Sequence, residues 1–189
     1  MRADNRERVL RAAAEAFLQR GYHASVDDIA RRAGVAKQTV YHHFPSKDRL
    51  FQAAARDLSK HILVELDADP GDMRAALVAF ARAYRKRVLG SEGLAMFRTL
   101  TAEVPRFPDL ARAVYHGGAG AMVKRLAAFL GGAMADGRLR RDDPQFAAEL
   151  FLSMLAGERV RRLYGLNGGE AESRRVPRIV DCFLRAYQP

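Results

Sequence analysis

An all-α fold of about nine helices is predicted for this chain of 189 residues. Apolar residues recur at helical spacing along almost every segment, and no segment alternates between apolar and polar residues as a half-buried strand would. Capping residues, glycines and prolines mark where these segments start and stop. We expect an N-terminal three-helix domain with a helix-turn-helix over residues 1–51, and a helical C-terminal domain over residues 52–189.

The first two helices are delimited by glycine and serine. A helix is predicted over residues 3–20, with Gly21 as its C-terminal stop. Its apolar face is formed by Val9, Leu10, Ala13, Phe17 and Leu18. The second helix opens with a capping box, in which Ser25 is the N-cap and Asp28 reaches back from N3, and it ends before Gly34.

The third and fourth helices meet at a proline. A short helix is predicted at about residues 37–43, and Pro45 stops it. Ser46 then caps a long helix that extends to about residue 66. The apolar face of this long helix carries Leu50, Phe51, Ala54, Leu58, Ile62 and Leu66.

Five further helices are predicted in the C-terminal part. Their expected ranges are 69–89, 92–103, 108–137, 143–164 and 171–187. Asp-Pro pairs at 69–70 and 143–144 supply a capping carboxylate and a proline at the first helical position. The glycine pair at 117–118 predicts a kink or break inside the third of these helices. A glycine-rich loop at 165–169 precedes the last helix.

The second and third helices have the arrangement of a helix-turn-helix. They are short, and the three-residue turn between them contains Gly34, which can adopt the left-handed conformation that such a turn needs. Ile29 and Val40 are their main apolar positions. The third helix is otherwise too polar to be stable alone, so we expect its neighbours to hold it and its polar side to bind a partner.

Helical geometry predicts which side chains face outward. Successive residues are rotated by about 100°, so with Val40 in the core Gln38 and His42 point almost directly away, while His43 turns back toward the buried side. The outward set is Lys37, Gln38, Thr39, Tyr41 and His42. An amide suits adenine, a lysine suits guanine or a phosphate, and a threonine methyl suits thymine, so this face is typical of major-groove recognition.

Lys47 lies in the first turn of the following helix, where a cation opposes the helix dipole. Phosphate binding by Lys47 and by the free backbone N–H groups of that helix would explain its position.

The stretch SVDDIARRAGVAKQTVYHHFPSKDRLF resembles the DNA-binding signature of the TetR family of one-component transcriptional regulators. The resemblance extends over about residues 5–51 without a gap. It implies a homodimer that binds a palindromic operator in double-stranded DNA, with half-sites in successive major grooves about 34–36 Å apart. The DNA contacts that the resemblance implies are Lys37, Gln38, Thr39, Tyr41, His42, His43 and Lys47. The chain departs from many relatives at Ala36, where they have a capping serine.

The stretch from Phe97 to Leu155 resembles an AefR-like C-terminal regulatory domain of the same family. That resemblance implies dimerisation through the helices at about 144–164 and 171–187, and a pocket for a small-molecule inducer. The implied function is that of a ligand-responsive regulator, most simply a repressor, that a small and largely apolar molecule releases from DNA.

Aromatic and methionine side chains of the C-terminal part are candidates for the ligand pocket. They are Phe80, Tyr84, Met96, Phe97, Tyr115 and Met122. The same helical spacing is equally typical of ordinary core positions, so both interpretations stay open. In a pocket, Tyr84 or Tyr115 would supply a hydrogen bond to the ligand.

The residue patterns argue against catalysis and against a metal or cofactor. Neither a Ser/His/acid arrangement nor a phosphate-binding loop occurs at the required spacing. His42 and His43 diverge by about 100° and cannot easily bind one ion. The single cysteine, Cys182, fits a buried or interface thiol and a reducing cytoplasm. The alternative class is a helical ligand carrier or enzyme without sequence-specific DNA binding.

The net charge of +10 suits a polyanionic partner such as DNA. No apolar run approaches the length that crosses a bilayer, and the charged N-terminal stretch has no apolar leader, so we expect a cytoplasmic protein without a membrane partner.

Overall fold

The computed structural model describes residues 2–60, 72–166 and 171–189. All regular elements in these ranges are helical, which confirms the all-α prediction. The first helices are α1 (Arg2–Arg20), α2 (Val26–Ala33), α3 (Lys37–His43) and α4 (Lys47–Lys60), with a 3-10 turn at Gly21–His23. The later helices are α5 (Met73–Val88), α6 (Ser91–Glu103), α7 (Pro108–Gly117), α8 (Ala119–Ala135), α9 (Pro144–Ala156), α10 (Arg159–Leu163) and α11 (Glu172–Ala186).

Two of the predicted helices are each divided once. The break expected at the glycine pair is confirmed, because Gly118 leaves helical geometry with φ −113° and ψ −93° between α7 and α8. The continuous helix predicted over 143–164 was wrong in detail, since α9 ends at Ala156 and α10 begins at Arg159. Gly157 has a low helix propensity, and Glu158 directs its carboxylate onto Arg85.

Asp72 marks the start of α5. Its carboxylate accepts a hydrogen bond from the backbone N–H of Ala75 at 2.9 Å, which is the geometry of an N-cap. The start signal predicted at residues 69–70 and the last turn predicted for the fourth helix, at 61–66, lie outside the described residues.

The chain forms two compact units that are not simply consecutive in sequence. The first comprises Met1–Leu58 and Ala95–Gly118, and the second comprises Ser59–Leu94 and Ala119–Pro189. The division of function at residue 51 stays a prediction, but packing divides the chain differently because apolar side chains of α6 and α7 join the N-terminal core. Within the described ranges, no helix has the length and hydropathy needed to cross a membrane.

The core of the first unit is built around aromatic side chains of α1 and α4. The rings of Phe17 and Phe51 meet edge to face, with centroids 4.8 Å apart. Ile29 of α2 is fully buried in the same cluster. Met96, Leu110 and Val114 of α6 and α7 complete it, as do the buried alanines of α1.

The core of the second unit joins α5, α8, α9 and α11. Phe151 is fully buried, and its ring lies 6.3 Å from that of Phe80 and 4.7 Å from that of Phe183. Leu126 and Leu130 of α8 are also inaccessible to solvent in this cluster. The aromatic rings thus bridge three helices through one continuous apolar layer.

A buried arginine fastens α5 to the ends of α9 and α11. The side chain of Arg85 is 1% exposed, and its Nε and Nη2 atoms each donate to the carboxylate of Glu172 at 2.8 Å. Nη2 also donates to Glu158, and Nη1 donates to the carbonyl of Leu155 at 2.6 Å. Arg162 donates to Glu172 at 2.7 Å, so two arginines share one carboxylate.

The arginines keep both carboxyl groups ionised. The Arg85 hydrogen bond lowers the pKa of Glu172 from its ordinary value, although partial burial opposes that shift. Burial alone would raise the pKa of Glu158, but the Arg85 hydrogen bond and the charges of Arg175 and Arg162 outweigh burial and lower it. A lowered folded-state pKa stabilises the fold above the unfolded value of about 4.3, and that contribution is lost as the pH falls through the folded pKa.

We predict that Arg85→Ala lowers the free energy of unfolding by about 3–5 kcal/mol at neutral pH, because it leaves buried carboxylate charge without its main partner. Urea denaturation followed by circular dichroism measures the change. Arg82, which is exposed on the same helix, supplies the matched control. Arg82→Ala should stay within about 0.5 kcal/mol of the unaltered protein. Equal losses for the two variants would contradict a special role for the buried arginine.

Candidate nucleic-acid interface

The start of α2 is fixed by Ser25, as predicted. Its hydroxyl accepts a hydrogen bond from the backbone N–H of Asp28 at 3.1 Å. The reciprocal half of the predicted capping box was wrong. The carboxylate of Asp28 instead accepts from Arg31 and from Arg32, the latter at 2.8 Å, and lies 3.8 Å from Arg20. Burial would raise the pKa of Asp28, but the Arg32 hydrogen bond and the neighbouring charges hold it below its ordinary value.

Gly34 forms the turn between α2 and α3. Its φ of 64° and ψ of 39° place it in the left-handed region, and its N–H closes the last turn of α2. An Nη atom of Arg8, from α1, donates to the carbonyl of Ala33 at 2.6 Å. A Cβ atom on Gly34 would lie 2.6 Å from that same nitrogen. The turn is therefore held by α1 as well as by its own backbone.

Val40 anchors α3 in the core of the first unit. It is 1% exposed, and Phe44, directly after the helix, is 4% exposed. Ala36 occupies the N-cap position with extended geometry, and its methyl group cannot accept the hydrogen bond that a capping side chain would accept. Because α3 has only seven residues and an uncapped start, its orientation depends on tertiary packing.

The predicted outward face of α3 is exposed. Lys37, Gln38, Tyr41 and His42 are exposed, whereas Thr39 and His43 are half-buried on its flanks. The rings of His42 and His43 contact each other edge to face, with centroids 5.3 Å apart. Among the residues that the structure describes, no group of His, Cys, Asp and Glu could hold a metal ion.

Lys37 forms an ion pair at the edge of this face. Its Nζ atom lies 2.9 Å from a carboxylate oxygen of Asp27, and both side chains are at least half exposed. The hydrogen bond to Asp27 raises the pKa of Lys37 above its ordinary value. An ion pair between exposed groups contributes little to stability and is screened by salt, so Lys37 can exchange Asp27 for another anion.

Lys47 is placed at the start of α4, as predicted. Ser46 caps that helix, accepting a hydrogen bond from the N–H of Arg49 at 3.2 Å. The Nζ atom of Lys47 lies 4.6 Å from the centroid of the Tyr22 ring, and the Tyr22 hydroxyl donates to Asp48. Sequence patterns did not reveal Tyr22 or Asp48, because Tyr22 contacts Lys47 and Asp48 from about 25 residues earlier in the chain.

The six candidate ligand residues are divided between the two units. Phe80, Tyr84 and Met122 lie together in the buried core of the second unit. Burial raises the pKa of Tyr84, which keeps its hydroxyl protonated. Met96 is buried in the core of the first unit, where Phe97 is half-buried and Tyr115 is 52% exposed.

The helices predicted to form the dimer contact carry exposed apolar side chains. On α9, Phe146 is 54% exposed and Leu150 is 36% exposed. Further along the chain, Val160, Tyr164 and Leu166 are also exposed. A groove of about 550 Å³ is lined by Met154, Arg175, Arg178, Ile179, Asp181, Cys182 and Arg185. Cys182 is exposed there, so a thiol buried within the single chain is excluded.

These features define a helix-turn-helix protein. The two helices are joined by a left-handed glycine, the second helix is anchored by one buried valine, and its polar side is exposed beside a lysine at the next helix start.

Comparison with known proteins places the chain more narrowly. Residues 9–54 match the domain of the bacterial regulatory proteins of the tetR family, and residues 75–189 match the C-terminal domain of AefR-like transcriptional repressors. The chain therefore belongs to the TetR family of transcriptional regulators, which are DNA-binding proteins and not enzymes.

Relatives of solved structure cover the whole fold. The flavonoid-responsive regulator FrrA is 35% identical, with a TM-score of 0.77 over 98% of this chain and 97% of FrrA. A crystal structure of a TetR-family regulator from Mesorhizobium loti MAFF303099 has a chain that is 25% identical, with a TM-score of 0.82 over 100% of this chain and 99% of that one.

The transcriptional activator FasR of Mycolicibacterium smegmatis is 47% identical over 62 residues, 32% of this chain and 27% of FasR. The chain spans about a quarter to a half of the length of the curated relatives it matches first.

We predict that Gly34→Ala destabilises the first unit by about 2–3 kcal/mol, because a Cβ in the left-handed region costs roughly 1–2 kcal/mol and the Arg8 contact must also move. Thermal unfolding measures the change.

Gly21→Ala is the matched control within the same unit. Gly21 has the same φ of 64°, but its Cβ would meet only Thr99 Cγ2 at an ordinary 3.6 Å. We expect it to lose only the conformational part, about 1–2 kcal/mol. A loss for Gly34→Ala no larger than that of Gly21→Ala would show that the contact between Arg8 and the turn adds nothing.

Proposed function

We propose that the protein is a ligand-responsive transcriptional repressor that binds a palindromic operator as a homodimer. The observation that carries this proposal is the rotation of α3, which buries Val40 at 1% exposure and leaves Gln38, Tyr41 and His42 exposed. That arrangement presents amide, phenol and imidazole groups together, and such groups can hydrogen-bond to base edges in a major groove.

The proposed DNA contacts have two kinds of role. Base recognition falls to the exposed centre of α3, with Thr39 available to a thymine methyl group. Phosphate binding falls to Lys47 and to the amide groups at the start of α4, with Lys37 and His43 at the flanks. The complete set is Lys37, Gln38, Thr39, Tyr41, His42, His43 and Lys47.

Dimerisation is proposed through α9, α10 and α11. Phe146 and Leu150 lie one turn apart on the exposed side of α9, and Val160 and Tyr164 repeat that spacing across α10. Large exposed apolar side chains in such a row are typical of a protein interface. Such a dimer has two copies of α3, one for each half-site of a palindromic operator, and half-sites in successive major grooves lie about 34–36 Å apart.

The proposed inducer is a small and largely apolar molecule bound in the second unit. Phe80 and Met122 supply apolar surface, and the protonated Tyr84 hydroxyl can donate a hydrogen bond. Met96, Phe97 and Tyr115 remain candidates in the first unit. FrrA is a flavonoid-responsive regulator, and its similarity to this chain supports an aromatic inducer, while the match to AefR-like repressors supports repression.

Release from DNA would follow from a shift between two conformations. An inducer that binds more tightly to one of them favours a spacing of the two α3 helices that no longer fits the half-sites. Because the proposed target is double-stranded DNA, we infer that the protein works in the cytoplasm. A helical carrier or enzyme is the disfavoured alternative, because it gives no reason for an exposed α3 face.

We predict that Tyr41→Ala combined with Lys47→Ala abolishes specific retardation in gel-shift measurements, because one change removes a groove contact and the other a phosphate contact. The probe is a duplex that the unaltered protein enriches from a random library, and a scrambled duplex reports non-specific binding. Lys86→Ala, an exposed lysine on α5, is the matched control and should bind as the unaltered protein does. Retardation unchanged by the double substitution would eliminate the proposed face.

We predict that Phe146→Glu converts the dimer to a monomer, because it buries an unpaired charge in the proposed interface. Size-exclusion chromatography with light scattering measures the mass, and operator affinity should fall with it. Gln145→Glu adds the same charge about 100° away around the exposed side of α9 and should leave the dimer intact. A Phe146→Glu variant that keeps the dimer mass would move the interface elsewhere.

A further inference from the structure

We propose that Tyr22 is a positioning residue for DNA binding, holding the Lys47 ammonium group where a phosphate can meet it. The proposal rests on the proposed role of Lys47 in DNA binding and adds the residue that makes this lysine effective. Tyr22 belongs to the 3-10 turn after α1, not to the helix-turn-helix, and no pattern in the sequence assigns it to DNA binding.

The geometry joins one cation to one aromatic face. The Nζ atom of Lys47 lies 4.6 Å from the centroid of the Tyr22 ring, within the range of a cation–π interaction. Both side chains are half-buried, so the contact is stronger than one in bulk water. Burial also lowers the pKa of Lys47 from its ordinary value, a sign that the ammonium has already lost part of its hydration.

The Tyr22 ring is itself immobilised from three directions. It packs edge to face on Phe51, with centroids 5.3 Å apart, and against Phe107 at 4.8 Å. Its hydroxyl donates to Asp48, and burial together with that carboxylate raises the pKa of Tyr22, so it remains a donor. A ring held in this way can restrict Lys47, whose long side chain otherwise loses rotamer freedom on binding.

A ring differs from a carboxylate as a support for a DNA-binding lysine. The ring carries no net charge, so it adds nothing to the opposing charges of the Asp48 and Glu103 carboxylates that already act on Lys47. Lys37, by contrast, must give up its ion pair with Asp27 before it can bind another anion. The aromatic support therefore orders the cation without neutralising it, which favours phosphate binding through a lower entropy cost.

The test compares Tyr22→Leu, Tyr22→Phe, Lys47→Ala and the Tyr22→Leu/Lys47→Ala double variant on the duplex selected by the unaltered protein. Affinity is measured over a series of salt concentrations. For Tyr22→Leu we expect a loss of about tenfold per dimer, because two Lys47 side chains must then be ordered on binding. The slope of log K against log salt should become shallower by about 2, because each subunit gives up one phosphate contact. Tyr22→Phe keeps the ring and should restore both quantities.

The double variant distinguishes positioning from general damage. If Tyr22 acts through Lys47, adding Tyr22→Leu to Lys47→Ala should weaken binding no further. Additive losses, or a weaker Tyr22→Leu variant with an unchanged salt slope, would overturn the proposal. A Tyr22→Phe variant as weak as Tyr22→Leu would overturn it too, since the hydrogen bond to Asp48 rather than the ring would then be responsible.

The same measurements separate this proposal from the proposed function. A Lys47→Ala variant with an unchanged slope refutes the phosphate contact of Lys47 itself, and the inference falls with it. A shallower slope for Lys47→Ala but not for Tyr22→Leu refutes the role of Tyr22 alone. Circular dichroism verifies that each variant is folded at the assay temperature. If Tyr22→Leu is not, Tyr22→Met supplies a longer, flexible apolar side chain without a ring and carries the same expectations.

Discussion

The burial of Val40 is the constraint on which the exposed face of α3 depends. A helix of seven residues gains few internal hydrogen bonds, and α3 begins at an alanine that cannot cap it. Its conformation is therefore maintained by the core of the first unit. Because one side chain points directly into that core, the rotation of the helix is set, and with it the direction of every polar group on the opposite side. The stability of the exposed face of α3 thus depends on the core of the first unit and not on α3 alone.

The sequence was sufficient where the determining interactions are local. The rotation of about 100° per residue in a helix predicted the exposure of Gln38 and His42 from the burial of Val40 alone. The cap at Ser25 and the left-handed turn at Gly34 were likewise readable, because each depends on residues within one helical turn. The same local reasoning assigned Asp28 to the capping box, and three arginines that converge on its carboxylate overrode it.

Interactions between distant segments were beyond this reasoning. Arg85 is buried, yet periodicity alone gives a charged residue an outward position. Its acceptors Glu158 and Glu172 follow 73 and 87 residues later, and only the assembled fold brings them together. The assembled fold also decides that Met96 lies in the core of the first unit, whereas Phe80 and Tyr84 lie in the core of the second. Helical spacing marks all three as apolar, but it cannot state which of two cores each one enters.

Lys37 and Lys47 show how tertiary packing can place the same residue type in different environments. Lys37 is exposed and paired with an exposed carboxylate, an interaction that salt screens. Lys47 is half-buried against an aromatic ring that other aromatic residues hold in place. The ring orders Lys47 and adds no opposing charge to those of the nearby Asp48 and Glu103 carboxylates, so phosphate affinity is expected to depend more on Lys47 than on Lys37. Lys37 can exchange the Asp27 carboxylate for a DNA group, because its ion pair is exposed. In the proposed complex, orientation on the duplex would come from the start of α4, and discrimination between sequences would come from α3.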